Sequence, residues 1–182
     1  MTNKGLKWLE GVAVVAGLSY TLLITYGYVW CWIAAIISSL LFLYICFIKR
    51  IYAESLLQAF YIFTSIYGWM HWNDSGGGIS GSLSWSIHGM IILSGTALVI
   101  ITGALLKKMT DAATPYIDSF TTVFSIFATL LMINLIPDNW WYWIVIDAVS
   151  VYLYYKRKLY FATALFVLYT LLAVNGLLEW TA

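Results

Sequence analysis

Shifted by 108 positions, the separation of Trp72 from Trp180, the second half of this chain falls on the first without a gap. Trp32 lands on Trp140, Ile36 on Ile144, Tyr44 on Tyr152, Tyr61 on Tyr169, Gly68 on Gly176 and Trp72 on Trp180. Lys49-Arg50 falls on Arg157-Lys158, and Glu10 on Asp118. Side-chain identity is sparse elsewhere, but glycine, tryptophan and charged positions coincide in one register. Such a register predicts two similar units that bury the same faces, an architecture suited to a transporter with its site between the halves.

The units must sit in a bilayer. Hydrophobic residues make up 63% of the 182 and charged residues only 9%, against about 25% charged in soluble domains. Apolar runs long enough to cross a hydrocarbon core of about 30 Å recur seven times, at about 8–25, 28–48, 52–72, 86–106, 114–135, 139–155 and 159–179. The first run opens a repeat unit whose partner lies mid-chain, so it is expected to be a span and not a cleaved signal peptide. Cys31 and Cys46 fall in one predicted helix, too far apart to pair, and are expected to be small buried hydrophobes with no metal or redox role.

Charge fixes the expected topology. With seven spans, Lys4, Lys7, Lys49, Arg50, Lys107, Lys108, Lys156, Arg157 and Lys158, all nine basic residues of the chain, fall on one side. Asp74, Asp138 and Glu179 fall on the other. The positive-inside rule then makes the N-terminus cytoplasmic and the C-terminus extracytoplasmic, in a bacterial inner membrane or its equivalent. The basic residues act as topology signals, so nucleic acid is not an expected partner. The predicted fold is an all-α membrane protein of seven transmembrane helices in a 3+1+3 parallel repeat. Residues 1–73 form the first three-helix bundle, 74–110 an extracellular Gly-rich loop and linker helix, and 111–182 the second bundle. The loop with Gly76, Gly77, Gly78 and Gly81 lacks the Lys-Ser/Thr of a P-loop, so no nucleotide cofactor is expected.

Polar residues at membrane depth carry the functional expectation. Asp147 lies near the middle of the sixth run, where a carboxylate costs about 2.5–3.5 kcal/mol on insertion scales and should face a cavity or a partner. Trp143 and Trp140 precede it by one and two helical turns on the same face. A carboxylate below two indoles suits a flat cation, because indole faces attract positive charge by about 0.5–2 kcal/mol each. For Trp140 and Trp141 an interfacial aromatic belt explains the pattern equally well. Glu54, Gln58, Tyr61 and Ser65 form a polar stripe on the third helix; Tyr169 and Asn175 do so on the seventh. Pro115 with Asp118 reads as a helix start. His71 and His88 have no partner at ligand spacing and are expected to be structural.

These residues resemble a known family. Tyr52-Ala53-Glu54-Ser55-Leu56-Leu57-Gln58, continuing to Ile66-Tyr67-Gly68-Trp69-Met70-His71-Trp72, is similar to the third core helix of the PnuC vitamin transporters. Asp118-Ser119 with Ser125, Asn139-Trp140 with Trp143 and Asp147, and Asn175-Gly176 with Trp180 also resemble that family in order. The resemblance implies a core like that of full-length SWEET-type sugar transporters, a homotrimer, and facilitated diffusion of an unphosphorylated vitamin that a cytoplasmic kinase then traps. It also implies substrate contacts from Gln58, Tyr61, Trp140, Trp143 and Asn175. Nicotinamide riboside transporters of this family usually carry Asn where this chain has Asp147, and Asp there resembles the thiamine branch. The expected substrate order is therefore thiamine, then nicotinamide riboside, with riboflavin behind because its flavin is neutral.

Other classes fit less well. A retinal protein needs a Schiff-base Lys in the last helix, which has none. An intramembrane enzyme needs a second deep catalytic group beside Asp147. A proton-coupled symporter using Asp147 is the mechanistic rival, since a buried carboxylate can carry a proton.

Overall fold

A computed structural model describes the chain except residues 1–2, 49–51, 75–77, 111–112 and 157–159. The described residues are all-helical, without strands. Seven helices follow in order: α1 (Asn3–Thr25), α2 (Cys31–Ile48), α3 (Tyr52–Asp74), α4 (Trp85–Met109), α5 (Pro115–Ile133), α6 (Asn139–Lys156) and α7 (Tyr160–Thr181). Among the described residues, five of them, α1, α2, α4, α5 and α7, are long and apolar enough to cross a membrane on length and composition alone. Large apolar side chains stand exposed, Leu93 at 76%, Phe63 at 73% and Leu171 at 62%, which lipid accommodates and water would penalise.

The chain divides into two compact units, residues 1–78 and 79–182. In the first, α2 packs against both α1 and α3. In the second, α4 packs on α5, α5 on α6 and α6 on α7. The middle helices α2 and α6 begin and end at matched repeat positions.

The internal repeat extends to individual hydrogen bonds. In the α1–α2 turn the Gly27 and Tyr28 amides donate to the Ile24 and Leu23 carbonyls, both at 3.0 Å. In the α5–α6 turn the matched Leu135 and Ile136 amides donate to Met132 and Leu131, again at 3.0 Å. Both turns need a left-handed residue: Gly27 has φ +70° and Leu135 φ +56°. Glycine adopts this conformation freely; leucine strains by about 1–2 kcal/mol. Leu135 is 2% exposed, and burial of its side chain offsets that strain.

The repeated tryptophans explain the repeated glycines. A Cβ on Gly68 would lie 2.6 Å from Cε2 of Trp32, and one on Gly176 would lie 2.5 Å from Cε2 of Trp140. Each indole then meets a second edge-on: Trp32 with Trp72 at 5.3 Å and 87°, and Trp140 with Trp180 at 5.5 Å and 89°. In the second unit, Gly95 and Gly103 of α4 receive the rings of Phe124 and Tyr116 from α5. Small residues let these helices approach closely where lipid provides no hydrophobic drive for association.

Candidate functional site

In the second unit, α6 is flanked by α5 and α7, so a polar group on its inner faces is screened from lipid by protein. Asp147 occupies such a face and is only 6% exposed. It lies eight residues from the start of α6, about 12 Å along the axis. Among the described residues no hydrogen bond reaches its carboxylate and no Lys or Arg approaches it. Tyr169 of α7 lies within electrostatic reach, and Ser150, three residues on, turns its hydroxyl back to the Ile146 carbonyl at 2.9 Å.

Trp143, one turn before Asp147, is partly buried against the cluster of Phe124, Ala128 and Ile146. Its indole N–H is buried without a hydrogen-bond acceptor, a state shared by those of Trp32 and Trp140. Trp140 is placed differently. It is 2% exposed, its ring fills the space over Gly176, and Trp32 sits identically in the first unit. Its position therefore follows from packing shared by both repeats. Asn175 on α7 is half-buried next to Gly176.

In the first unit, Gln58 and Tyr61 of α3 are half-buried, and Tyr61 lies within electrostatic reach of Tyr20 on α1. The matched positions differ between units. Ser39 stands where the second unit has Asp147, and Phe166 stands where the first has Gln58. Phe166 is committed to aromatic packing, stacked on Tyr154 at 5.0 Å and 11°. The side chains of Glu54, Lys49, Arg50, Arg157 and Lys158 lie outside the described residues; Lys107 and Lys108 end α4 and Lys156 ends α6.

Tyr169, read from the sequence as part of the polar stripe of the seventh helix, lies within electrostatic reach of Asp147. Two features escape a local reading of the sequence. The Asn139 Oδ1 is fully buried without a hydrogen-bond donor, while its amide donates to Ile136 at 2.6 Å. His88 does have partners, Tyr142 and Asp138, both supplied from distant sequence.

Residues 7–182 match the model of the family described as Nicotinamide mononucleotide transporter. The nicotinamide riboside transporter PnuC of Escherichia coli (strain K12) is 26% identical over 96% of this chain and 85% of its own length. The riboflavin/roseoflavin transporter RibM of Streptomyces davaonensis is 23% identical over 95% of this chain and 84% of its own length. In fold, the chain is similar to the crystal structure of the vitamin B3 transporter PnuC, with a TM-score of 0.75 and 21% identity over 96% of this chain and 80% of that one.

Proposed function

We propose that this chain, which belongs to the nicotinamide mononucleotide transporter family, carries an unphosphorylated cationic vitamin, nicotinamide riboside first, by facilitated diffusion. At the coarser level it is a multi-pass membrane transporter of the PnuC family and not an enzyme. The substrate order expected from the sequence is revised here. Asp147 points toward thiamine through the resemblance and through a carboxyl group's fit to an aminopyrimidine edge, whereas the relatives described above are named for nicotinamide riboside and riboflavin. Charge does not favour thiamine, since the pyridinium of nicotinamide riboside and the thiazolium of thiamine are both flat ring cations.

The buried Asp147 carboxylate, with no Lys or Arg beside it among the described residues, carries the proposal. A dry carboxylate must either take up a proton or have its charge offset, and a substrate cation supplies that offset. The same charge argues against a phosphorylated nucleotide. Among the described residues, Lys107, Lys108 and Lys156 lie in the last turns of α4 and α6, so they offer a phosphate at the depth of Asp147 no cationic partner. Trp143 is assigned the stacking role, its ring beside the pyridinium. Trp140 is assigned to packing, and Tyr169 and Asn175 to hydrogen bonding from α7. Gln58 and Tyr61 enter as candidates from the first unit on sequence grounds. A cytoplasmic N-terminus, an inner-membrane location, a homotrimer and trapping by a cytoplasmic kinase belong to the same proposal.

Uptake into proteoliposomes tests it. Nicotinamide riboside should equilibrate across the membrane without accumulating and without an ion gradient. Equilibration of thiamine or riboflavin but not nicotinamide riboside would overturn the substrate, and accumulation driven by a proton gradient would replace diffusion with symport through Asp147.

A further inference from the structure

We infer that His88 and Asp138 are positioning residues that set the orientation of α6, and with it Trp143 and Asp147, without touching substrate. The ligand readout of this inference rests on the transport proposal; its structural readout does not.

The cluster lies where α4 begins and α5 turns into α6. Asp138 is its hub. One carboxylate oxygen, Oδ2, accepts the Leu83 amide at 2.6 Å; the other, Oδ1, stands 3.7 Å from His88 Nε2. His88 Nδ1 lies 2.8 Å from the Tyr142 hydroxyl, and the two rings stack at 5.8 Å and 18°. Tyr142 in turn stacks on Phe124 at 6.4 Å and 17°, within the cluster that also borders Trp143. The approach to α4 is strapped down as well: Ser80 donates its amide to the Leu135 carbonyl at 2.8 Å and its hydroxyl to the Asn134 carbonyl at 3.0 Å.

An imidazole that accepts the Tyr142 O–H at Nδ1 carries its proton on Nε2, which faces the Asp138 carboxylate at 3.7 Å, an electrostatic contact longer than a hydrogen bond that favours this tautomer. Tyr142 adjoins Trp143 on a rigid helix, so α6 cannot rotate about its axis without stretching the His88–Tyr142 bond, and any rotation moves Trp143 and Asp147 equally. The device belongs to one repeat only. At the positions matched to Asp138 and Tyr142 the first unit has Trp30 and Ala34, which offer neither a carboxylate nor a phenol. The latch thus occurs in the half that carries Asp147.

The test compares the purified full-length protein with His88→Ala, Tyr142→Phe, the double variant, and His88→Gln, whose amide can donate to Asp138 and accept from Tyr142. Affinity for nicotinamide riboside is read by tryptophan quenching, thermal stability is read alongside, and backbone order is read by amide hydrogen exchange over residues 140–148. His88→Ala and Tyr142→Phe should each weaken binding about 2- to 10-fold and speed exchange in α6. The double variant should lose no more than the worse single, because both remove one bond, and His88→Gln should stay within about twofold of the parent. Additive losses would overturn the inference, as would lowered stability with affinity and α6 exchange unchanged. If the parent protein does not bind nicotinamide riboside, the substrate proposal fails, and the exchange pattern alone upholds or overturns the latch.

Discussion

Adding one methyl group at Gly176 should be far more damaging than adding one elsewhere on the same bundle. The new Cβ would stand 2.5, 2.6 and 2.7 Å from three atoms of the Trp140 ring, where carbon atoms normally sit about 3.5–4.0 Å apart. The ring must therefore shift by about 1 Å. It has little room, being 2% exposed and held edge-on by Trp180. Overpacking of this kind costs about 1–3 kcal/mol, while the helix propensity of alanine over glycine returns about 1 kcal/mol. Gly89 of α4 provides the reference, since nothing lies within 4 Å of its Cβ position and Gly89→Ala gains only the propensity term. In thermal unfolding of detergent-purified protein, Gly176→Ala should fall below Gly89→Ala by about 2–12 °C, from about 2–4 °C per kcal/mol at this size. Gly68→Ala should match it, because Trp32 meets that site at 2.6 Å, and Trp140→Phe should partly rescue Gly176→Ala. Equal melting points for Gly176→Ala and Gly89→Ala would refute the packing role of Trp140.

Three further outcomes follow from the same geometry. Leu135→Gly relieves about 1–2 kcal/mol of backbone strain but removes a side chain that is 2% exposed and worth about 2–5 kcal/mol, so it should destabilise by up to about 4 kcal/mol in a chemical or thermal unfolding measurement. Gly27→Ala, with open space around its Cβ but φ +70°, should cost about 1 kcal/mol from backbone conformation alone. An impermeant thiol reagent on intact cells should label Asp74→Cys and spare Lys108→Cys, over a low background because Cys31 and Cys46 are buried; the reverse pattern would invert the topology.

Much of the fold was legible because a repeat constrains two segments at once. The seven apolar runs correspond to seven helices, and the 108-residue offset reappears in the bounds of α2 and α6 and in the bonds of both turns. The predicted runs miss the polar ends: α1 begins at Asn3 and α4 runs to Met109, because helices extend beyond the hydrocarbon zone that hydropathy detects. Leu135 gives no hint of a left-handed turn on its own; only its alignment with Gly27 does. Trp140 shows why side-chain type cannot settle a role. A tryptophan at a helix end serves a belt, a site or a packing lock, and the deciding feature is the bare face of Gly176 on another helix. His88 lacks a partner at local spacing because its partners come from the α5–α6 turn and from α6. Asp147 was legible for the opposite reason, since a carboxylate in an apolar run is conspicuous wherever the helix packs.

The central claim is that the Asp147 charge holds a cationic vitamin, and one titration series tests it most directly. Nicotinamide riboside and riboflavin are titrated against the parent protein and Asp147→Asn, with tryptophan quenching as the signal and thermal unfolding confirming that the variant is folded. Asparagine keeps the shape and removes the charge, so losing a buried charge-assisted interaction should cost about 1.5–3 kcal/mol, a weakening of about 10- to 100-fold for nicotinamide riboside. Neutral riboflavin, if it binds, should change by less than about threefold, since no charge attraction is lost. Affinity for nicotinamide riboside unchanged within twofold in folded Asp147→Asn would contradict the account.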